Sequence, residues 1–597
     1  MSPMSISEAD EQLTAPGQMF EVAEMDIRGI TTRVWKNAPP NLRSVLEISR
    51  SHASKDFLVY EDERITFGQH YSLAARVGKA LTERFGVQKG DRVAIAMRNL
   101  PEWATAFWAT TAMAGAVVVP LNAWWTGPEL AYGLSDSSCT VAFVDSERLE
   151  RIMGHLPEMP NLRAVVVTDE NRRPGWSPPR ADVPVVLYDE IAGTAMHGPG
   201  TGNAADLAAE LGSAEEPPAL DIDPEDDATI FYTSGTTGRP KGAVGTHRNI
   251  CTNLMSLFFI ATRAGLRGTG GTPDPASKRQ NSYLLSVPLF HATGCHAILV
   301  TNTAAGGKLV MMHHFDPQRA LELIEREQIT TFGGVPAMVM QVLDSPDFLK
   351  RDTSSITSIA YGGAPAPPDM VRRIKEHFPV GAPSNGYGLT ETSSVTTMNS
   401  GDDYIARPDS VGPPVPVCEL AVVPEDYLGP EPTPEHLSAR GVLGELWVKG
   451  PNVVRGYWEK PEETAATFTA GWLHTGDIAT IDDDGFVHIV DRAKDMVIRG
   501  GENVYSVEVE ATLFEHPAVA DCAVIGIPHP VLGEEVGAVV VLRPGQRVSA
   551  DELVRHVRER MAAFNAPARI WFRSDPLPRN PQGKVLKRQL REELATS

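Results

Sequence analysis

The chain has 597 residues and a formal net charge of -22 at pH 7, with 42% hydrophobic and 22% charged residues. Those proportions are those of a soluble globular protein, and the length exceeds one ordinary core, so two or more domains are expected. The acidic balance excludes a nucleic-acid partner, which needs basic surface, but leaves room for a nucleotide held in a locally positive pocket.

Residues 1–44 show little periodicity and read as an N-terminal extension without the basic and apolar blocks of a signal peptide. Ser72 to Phe85 has a helical pattern, followed by the strand-like run Val93-Ala-Ile-Ala96. Ala104 to Trp125 carries no charge and is long enough to span a bilayer. Pro120, Asn122 and the change of character at Gly115 favour a buried helix followed by the strand Ala116–Leu121, so no transmembrane segment is expected. Further strand-like runs are Val141–Val144, Ala164–Val167, Val185–Tyr188 and Leu284–Pro288, with helical patterns at Pro317–Gln328 and Pro368–His377. This alternation predicts α/β layers with largely buried parallel strands. Residues 192–222 and 263–280, rich in Gly, Pro, Ala and polar groups, read as exposed loops. Beyond residue 410, Val442–Lys449 and Phe486–Val490 have the alternation of antiparallel strands. The last hundred residues predict a separate α+β unit: helix Val507–Glu515, strands Val519–Ile527 and Val536–Leu542, helix Ala550–Met561. Cys139, Cys251, Cys295, Cys418 and Cys522 lie far apart with no Cys-x-x-Cys pair, which suggests reduced thiols in a cytoplasmic protein rather than disulfides or a zinc site.

The densest chemical signal is Tyr232-Thr-Ser-Gly-Thr-Thr-Gly-Arg-Pro-Lys-Gly242, three glycines and four Ser/Thr hydroxyls in eleven residues, leaving the short strand Ala228–Phe231. Glycines let backbone approach a ligand, N–H groups and hydroxyls surround phosphate oxygens, and Arg239 and Lys241 balance their charge. It is not a Walker A loop, because Pro240 stands where that motif needs glycine. Taken alone, the composition also fits a polar surface turn. Similar clusters follow in order: Tyr361-Gly-Gly-Ala-Pro365, Asn385-Gly-Tyr-Gly-Leu-Thr-Glu391, Gly471-Trp-Leu-His-Thr-Gly-Asp477, Asp491-Arg-Ala-Lys-Asp495, Gly500-Gly-Glu-Asn503 and Leu577-Pro-Arg-Asn-Pro-Gln-Gly-Lys584. Singly, Asp477 and Asp491 read as turn caps and Lys584 as part of a solvated basic helix start with Arg579, Lys587 and Arg588.

Together and in this order, the clusters resemble the adenylate-forming superfamily of acyl-CoA synthetases, luciferases and nonribosomal-peptide adenylation domains, over residues 45–593 and most nearly the fatty-acyl-CoA ligases. The resemblance implies a layered α/β large domain with a β-rich subdomain (residues 45–493) and a small mobile α+β lid domain (494–597) turning about a hinge at Lys494. It implies that Thr233, Ser234, Gly235, Thr236, Thr237, Gly238 and Lys241 grip the β- and γ-phosphates of ATP. Gly362, Gly363 and Ala364 would lie against adenine, Tyr387 stack on it, Thr390 touch the α-phosphate, and Glu391 hold Mg²⁺. Asp477 would accept the ribose hydroxyls with help from Arg492, and Lys584 would be the catalytic cation of adenylation. Gly500 and Gly501 would line the passage for the coenzyme A arm in a second half-reaction.

His291 stays open between an acyl-pocket or catalytic role and a structural one, while His247 and Cys295 read as structural. The acid pocket is expected from Asn253–Phe259, Phe332–Met338 and the Gly363 region, all without a charged anchor, so an apolar acid fits, fatty acids first and aryl or polycyclic acids next. The expected activity is therefore ATP- and Mg²⁺-dependent conversion of such an acid to acyl-AMP and then acyl-CoA, in the cytoplasm. Two alternatives are an adenylating ligase that transfers the acyl group to an amine or a carrier-protein thiol, a multi-module synthetase being disfavoured because no carrier domain follows Lys584, and a non-catalytic nucleotide-binding scaffold. A homo-oligomer is compatible with the sequence.

Overall fold

The computed structural model describes residues 4–168, 181–193, 219–233, 239–269, 279–363, 369–424, 427–500, 502–580 and 583–595. Two large sheets form its first part. In the seven-stranded sheet the order is Lys241–Thr246, Asp227–Thr233, Val117–Pro120, Arg92–Ala96, Val141–Val144, Ala164–Val167 and Val185–Leu187, parallel except for the first, an edge strand. The eight-stranded sheet runs Thr397–Ser400, Ala382–Tyr387, Ser358–Gly362, Thr331–Gly334, Ser282–Leu285, Lys308–Met311, Asp56–Tyr60 and Glu63–Thr66, with antiparallel strands only at its two edges.

The inner strands are buried on both faces, which is why they read as unbroken Val/Ile/Ala runs rather than alternating ones. Between the sheets lies a core containing Phe57, Phe67, Trp103, Phe107, Trp108, Ile95 and Leu309. The uncharged stretch from Ala104 is the buried helix Pro101–Trp108, a wider turn Ala109–Met113 and the strand Val117–Pro120. Among the described residues no helix is long and apolar enough to cross a membrane.

A five-stranded antiparallel sheet follows, with Gly444–Lys449 between Glu419–Val423 and Trp472–Ile481, the last also pairing Val487–Arg492. The final sheet pairs Val519–His529 with Gly533–Leu542, and the latter also pairs Arg569–Arg573. Its own core (Val497, Val509, Leu513, Val524, Val540, Leu553, Val557) is covered by the helices Ser506–Phe514 and Ala550–Arg558, as expected for a separate unit. All five cysteines are free and buried.

Two expectations change. Residues 263–267 are not loop but the last turns of the helix His247–Arg267, which ends where Gly268 takes φ +68 and caps it. The N-terminal extension is also built into the fold. Its helix Ile6–Thr14 starts with a Ser5/Glu8 capping box, and the hairpin Val22–Ile27/Ile30–Trp35 follows. Phe20 and Trp35 pack on Phe259, Trp35 Nε1 donates to Ser256 Oγ (3.0 Å), and Arg263 pairs with Asp10 (3.3 Å). The helix His247–Arg267 thus has the extension on its outer face.

Candidate functional site

The carboxyl ends of the parallel strands meet in one region, where open α/β sheets bind ligands. Thr233 ends one strand, and Gly334, Gly362 and Tyr387 end three adjacent strands of the other sheet. The glycines are sterically required there. A Cβ on Gly333 would lie 1.7 Å from Ala360 O, and one on Gly362 would lie 2.4 Å from Gly386 O. Gly363 takes φ +74 with open space beside it, a surface onto which a flat ring can settle.

After Tyr387 the chain makes a tight turn, Thr390–Thr392, closed by Ser393 and Ser394 at φ 55 and φ 113. Non-glycine residues rarely adopt these values, and strain of this kind concentrates at functional sites. The turn fits because Gly388 carries no Cβ, which would lie 1.4 Å from Ser394 O. It holds Thr390 and Glu391 opposite the strand end at Thr233. Thr233 Oγ1 lies 3.5 Å from Glu391 Oε1, Tyr457 Oη donates to the same oxygen at 2.8 Å, and Lys241 Nζ sits 5.4 Å above the Tyr457 ring. A carboxylate, two hydroxyls and a cation are thereby gathered from three distant segments. Ser234 to Gly238, Ala364 and Gly501 lie outside the described residues.

Asp477 is 2% exposed and bonded on both oxygens: Tyr387 Oη donates to Oδ2 (2.7 Å) and Arg492 Nε pairs with Oδ1 (2.7 Å). Sheet register dictates this, because Asp477 and Arg492 are direct antiparallel partners. Burial and then Asp477 push the Tyr387 phenol well up, so it stays a donor. Burial opposes the Arg492 charge, but Asp477 and neighbouring acidic groups hold its pKa up.

Lys584 is held by Asn580 within reach of the charges of this pair. Asn580 N donates to Lys584 O (2.8 Å), Lys584 N to Asn580 Oδ1 (2.9 Å), and Gly583 takes φ +77. A Cβ on Gly583 would lie 2.7 Å from Val335 Cγ2, so the turn rests on the large sheet's Val335-Pro336 segment. Burial, then Arg492, push the Lys584 ammonium down to about 8, with Asp495 and Asp477 opposing. The basic neighbours are otherwise engaged: Arg579 pairs with Asp521 (2.7 Å), Lys587 with Glu510 (2.7 Å) and Arg588 with Glu592 (3.0 Å). Lys584 is therefore not one of a solvated basic row.

His291 sits in a tight turn whose Gly294 leaves no room for a Cβ, 2.2 Å from Pro288 O. Burial pushes its imidazole down to about 3, so it is neutral at neutral pH. His247 accepts from Leu42 N at 3.2 Å, and Cys295 is buried. Lys494 is exposed in the link after Arg492. Gly500 is exposed at a hairpin tip, its N–H on Leu532 O (2.8 Å), so it joins the small sheet rather than the Asp477 cluster.

Residues 47–458 match the family profile "AMP-binding enzyme", and residues 508–584 match "AMP-binding enzyme C-terminal domain". The chain belongs to the AMP-binding enzyme family. It is 34% identical over 530 residues to a feruloyl-CoA synthase of Amycolatopsis sp, covering 88% of this chain and 93% of that one. It is 33% identical over 564 residues to a long-chain-fatty-acid–CoA ligase of Bacillus subtilis (strain 168), covering 92% and 94%. A solved anthranilate CoA ligase, AuaEII with anthranoyl-AMP, superposes with TM-score 0.77 at 27% identity, covering 94% of this chain and 98% of that one.

This AMP-binding enzyme is an AMP-forming acid–CoA ligase that uses ATP, Mg²⁺ and coenzyme A, with a large N-terminal and a small C-terminal domain. The residues present suit those groups. Glu391 offers a hard carboxylate oxygen, and among the described residues no cluster of three metal-ligating side chains exists. That matches Mg²⁺, which is commonly held by one carboxylate together with substrate phosphates.

Sequence reasoning missed Tyr457 and the contact of Val335 with Gly583. Tyr457 follows Gly456 (φ +141) in Val454-Arg-Gly-Tyr-Trp458, and nothing in that stretch announces a reach to Glu391. The expected acid-pocket segments also divide. Phe332 is fully buried in the core beneath the eight-stranded sheet, and Phe259 faces the N-terminal extension. Gly334, Val335 and Met338 remain as wall candidates.

Proposed function

We propose that this ligase activates an apolar monocarboxylic acid, fatty acids first and aryl or polycyclic acids next, and passes the acyl group to coenzyme A in the cytoplasm. The observation that carries the reading is Lys584, half-buried, its turn resting on Val335 and its ammonium within reach of the Arg492 and Asp477 charges. The wall candidates Gly334, Val335 and Met338 offer no charge to a second polar group on the acid, and the relatives named above act on apolar or aromatic acids.

In this reading the domain boundary falls near Lys494. Asp477, with Arg492, receives the ribose hydroxyls, Gly363 and Tyr387 hold adenine, and Thr233, Lys241 and the loop 234–238 hold the β- and γ-phosphates. Glu391, steadied by Tyr457 and Thr233, would hold Mg²⁺, which neutralises phosphate charge when bound. The substrate carboxylate oxygen attacks the α-phosphorus, the bond to the β-phosphate oxygen breaks, and pyrophosphate leaves. Negative charge spreads over the α-phosphate oxygens, where Lys584 and Thr390 stabilise it. His291, neutral and half-buried, lines the acyl side as a hydrogen-bonding wall. The thiol of coenzyme A then attacks the acyl carbonyl and AMP leaves, after the small domain has turned and brought Gly500 and Gly501 to the site.

The test is a panel of fatty, aryl and polycyclic acids with ATP and coenzyme A, read by the mass of the thioester. Acyl-AMP accumulating without acyl-CoA, or an amide forming with a supplied amine, would overturn the acceptor. Thioester formation only from charged or amino acids would overturn the acid class. Lys584→Ala is expected to lower acid-dependent pyrophosphate release by more than about a hundredfold while sparing thioester formation from supplied acyl-AMP. Equal loss in both half-reactions would remove Lys584 from its assigned step.

A further inference from the structure

The small domain is tied to the large one by more than the chain. The helix Ser506–Phe514 has no capping side chain of its own, since Tyr505 precedes it. Its first N–H instead donates to Asp491 Oδ2, and Ser506 Oγ donates to Asp491 Oδ1 at 3.1 Å. Asp491 lies on the strand Val487–Arg492, before Lys494, whereas Ser506 lies after it. The bond therefore crosses the link about which the small domain must turn.

Asp491 is 2% exposed; besides the helix it accepts from Arg492 N at Oδ1 (2.7 Å), and the Lys587 charge acts on it. Lys587 Nζ donates to Ser506 Oγ (2.6 Å) and pairs with Glu510 (2.7 Å), Arg591 faces Asp495 (3.9 Å), and Glu508 stands close enough to feel the Asp491 charge. Lys587, Glu510 and Ser506 all belong to the small domain, so a turn at Lys494 leaves them together and removes Asp491 alone. Asp491 is also the neighbour of Arg492, which pairs with Asp477 beside Lys584.

We propose that Asp491 is a positioning residue: from the large-domain side of the link it caps the helix Ser506–Phe514 of the small domain and so holds Lys584 at Asp477 and Arg492. This rests on the reading of Lys584 given above. The device is asymmetric. Docked, the helix N-terminus and its partial positive charge have a buried carboxylate; turned away, the helix loses its cap and Lys587 loses the Asp491 charge but keeps Glu510. A cap shifts an equilibrium by roughly five- to tenfold, enough to favour the adenylating arrangement without locking it.

The experiment measures the two half-reactions separately, with dodecanoate and ferulate as probe acids and their adenylates supplied for the second step. Asp491→Ala should lower acid-dependent pyrophosphate release about five- to tenfold and leave thioester formation from the supplied adenylate unchanged or faster. Asp491→Asn, which keeps an acceptor for the Ser506 N–H, should recover most of the loss and serves as the test should the alanine variant not fold. An equal fall in both half-reactions, or no change in either, overturns the proposal. Absence of pyrophosphate release by the unaltered enzyme across the acid panel would instead overturn the functional reading itself.

Discussion

Lys584 carries its own pH signature. Burial strips its ammonium of water and Arg492 repels it, so its pKa falls from 10.5 to about 8. The cation is present below that pH and lost above it. Therefore kcat/KM for ATP, which reports the free enzyme, should be level below about pH 8 in pyrophosphate release and fall about tenfold per unit above it. Lys584→Arg should be slower but level over the same range, because guanidinium does not titrate there. Tyr457→Phe removes a 2.8 Å hydrogen bond to the Glu391 carboxylate and should raise KM for MgATP about tenfold with little change in thermal midpoint. The two residues differ in legibility. Lys584 stands in a Pro-Gln-Gly-Lys setting that singles it out for a proposal, and Asp477 in a Thr-Gly-Asp one. Tyr457 and Asp491 act through partners that are distant in sequence, 66 residues away for Tyr457 and 15 for Asp491, and no local pattern encodes such pairing.

At the scale of elements, hydrophobic runs and turn residues made the inner strands readable, since burial on both faces leaves an unbroken apolar signature. Ends were less so. Val185–Tyr188 stops as strand at Leu187 because Tyr188 opens a helix, and Arg263–Arg267 is helical although it lies in a stretch that leads into Gly- and Pro-rich residues. The N-terminal extension was the element most understated by its sequence, because its stability comes from packing on a helix more than 200 residues away. Phe20, Trp35 and Phe259 form one aromatic cluster, and the Trp35 indole N–H is spent on Ser256. Trp35→Ala leaves a cavity and an orphaned hydroxyl at once, so it should cost about 3–5 kcal/mol of the large domain's stability. A lowered urea midpoint, measured by tyrosine fluorescence or circular dichroism, would show it. An unchanged midpoint would mean that the extension only rests on the surface.

For the whole molecule, the proposed ATP site and the proposed catalytic cation lie on different cores. Asp477, Tyr387, Glu391, Lys241 and Arg492 all precede the link at Lys494, whereas Lys584 belongs to the unit built on Val497, Val524 and Val540. A chain ending at residue 493 keeps both bonds to Asp477 and the contacts around Glu391, and loses Lys584, the Gly583 contact on Val335 and the cap on Asp491. Such a chain should still bind ATP within about tenfold of the full protein, because the ribose and phosphate contacts are intact, yet release pyrophosphate more than about a hundredfold slower. Equilibrium binding of a fluorescent ATP analogue and a pyrophosphate assay separate the two effects. If binding collapsed together with turnover, the small domain would be a structural part of the nucleotide site rather than the carrier of its cation, and the division of labour across residue 494 would fail.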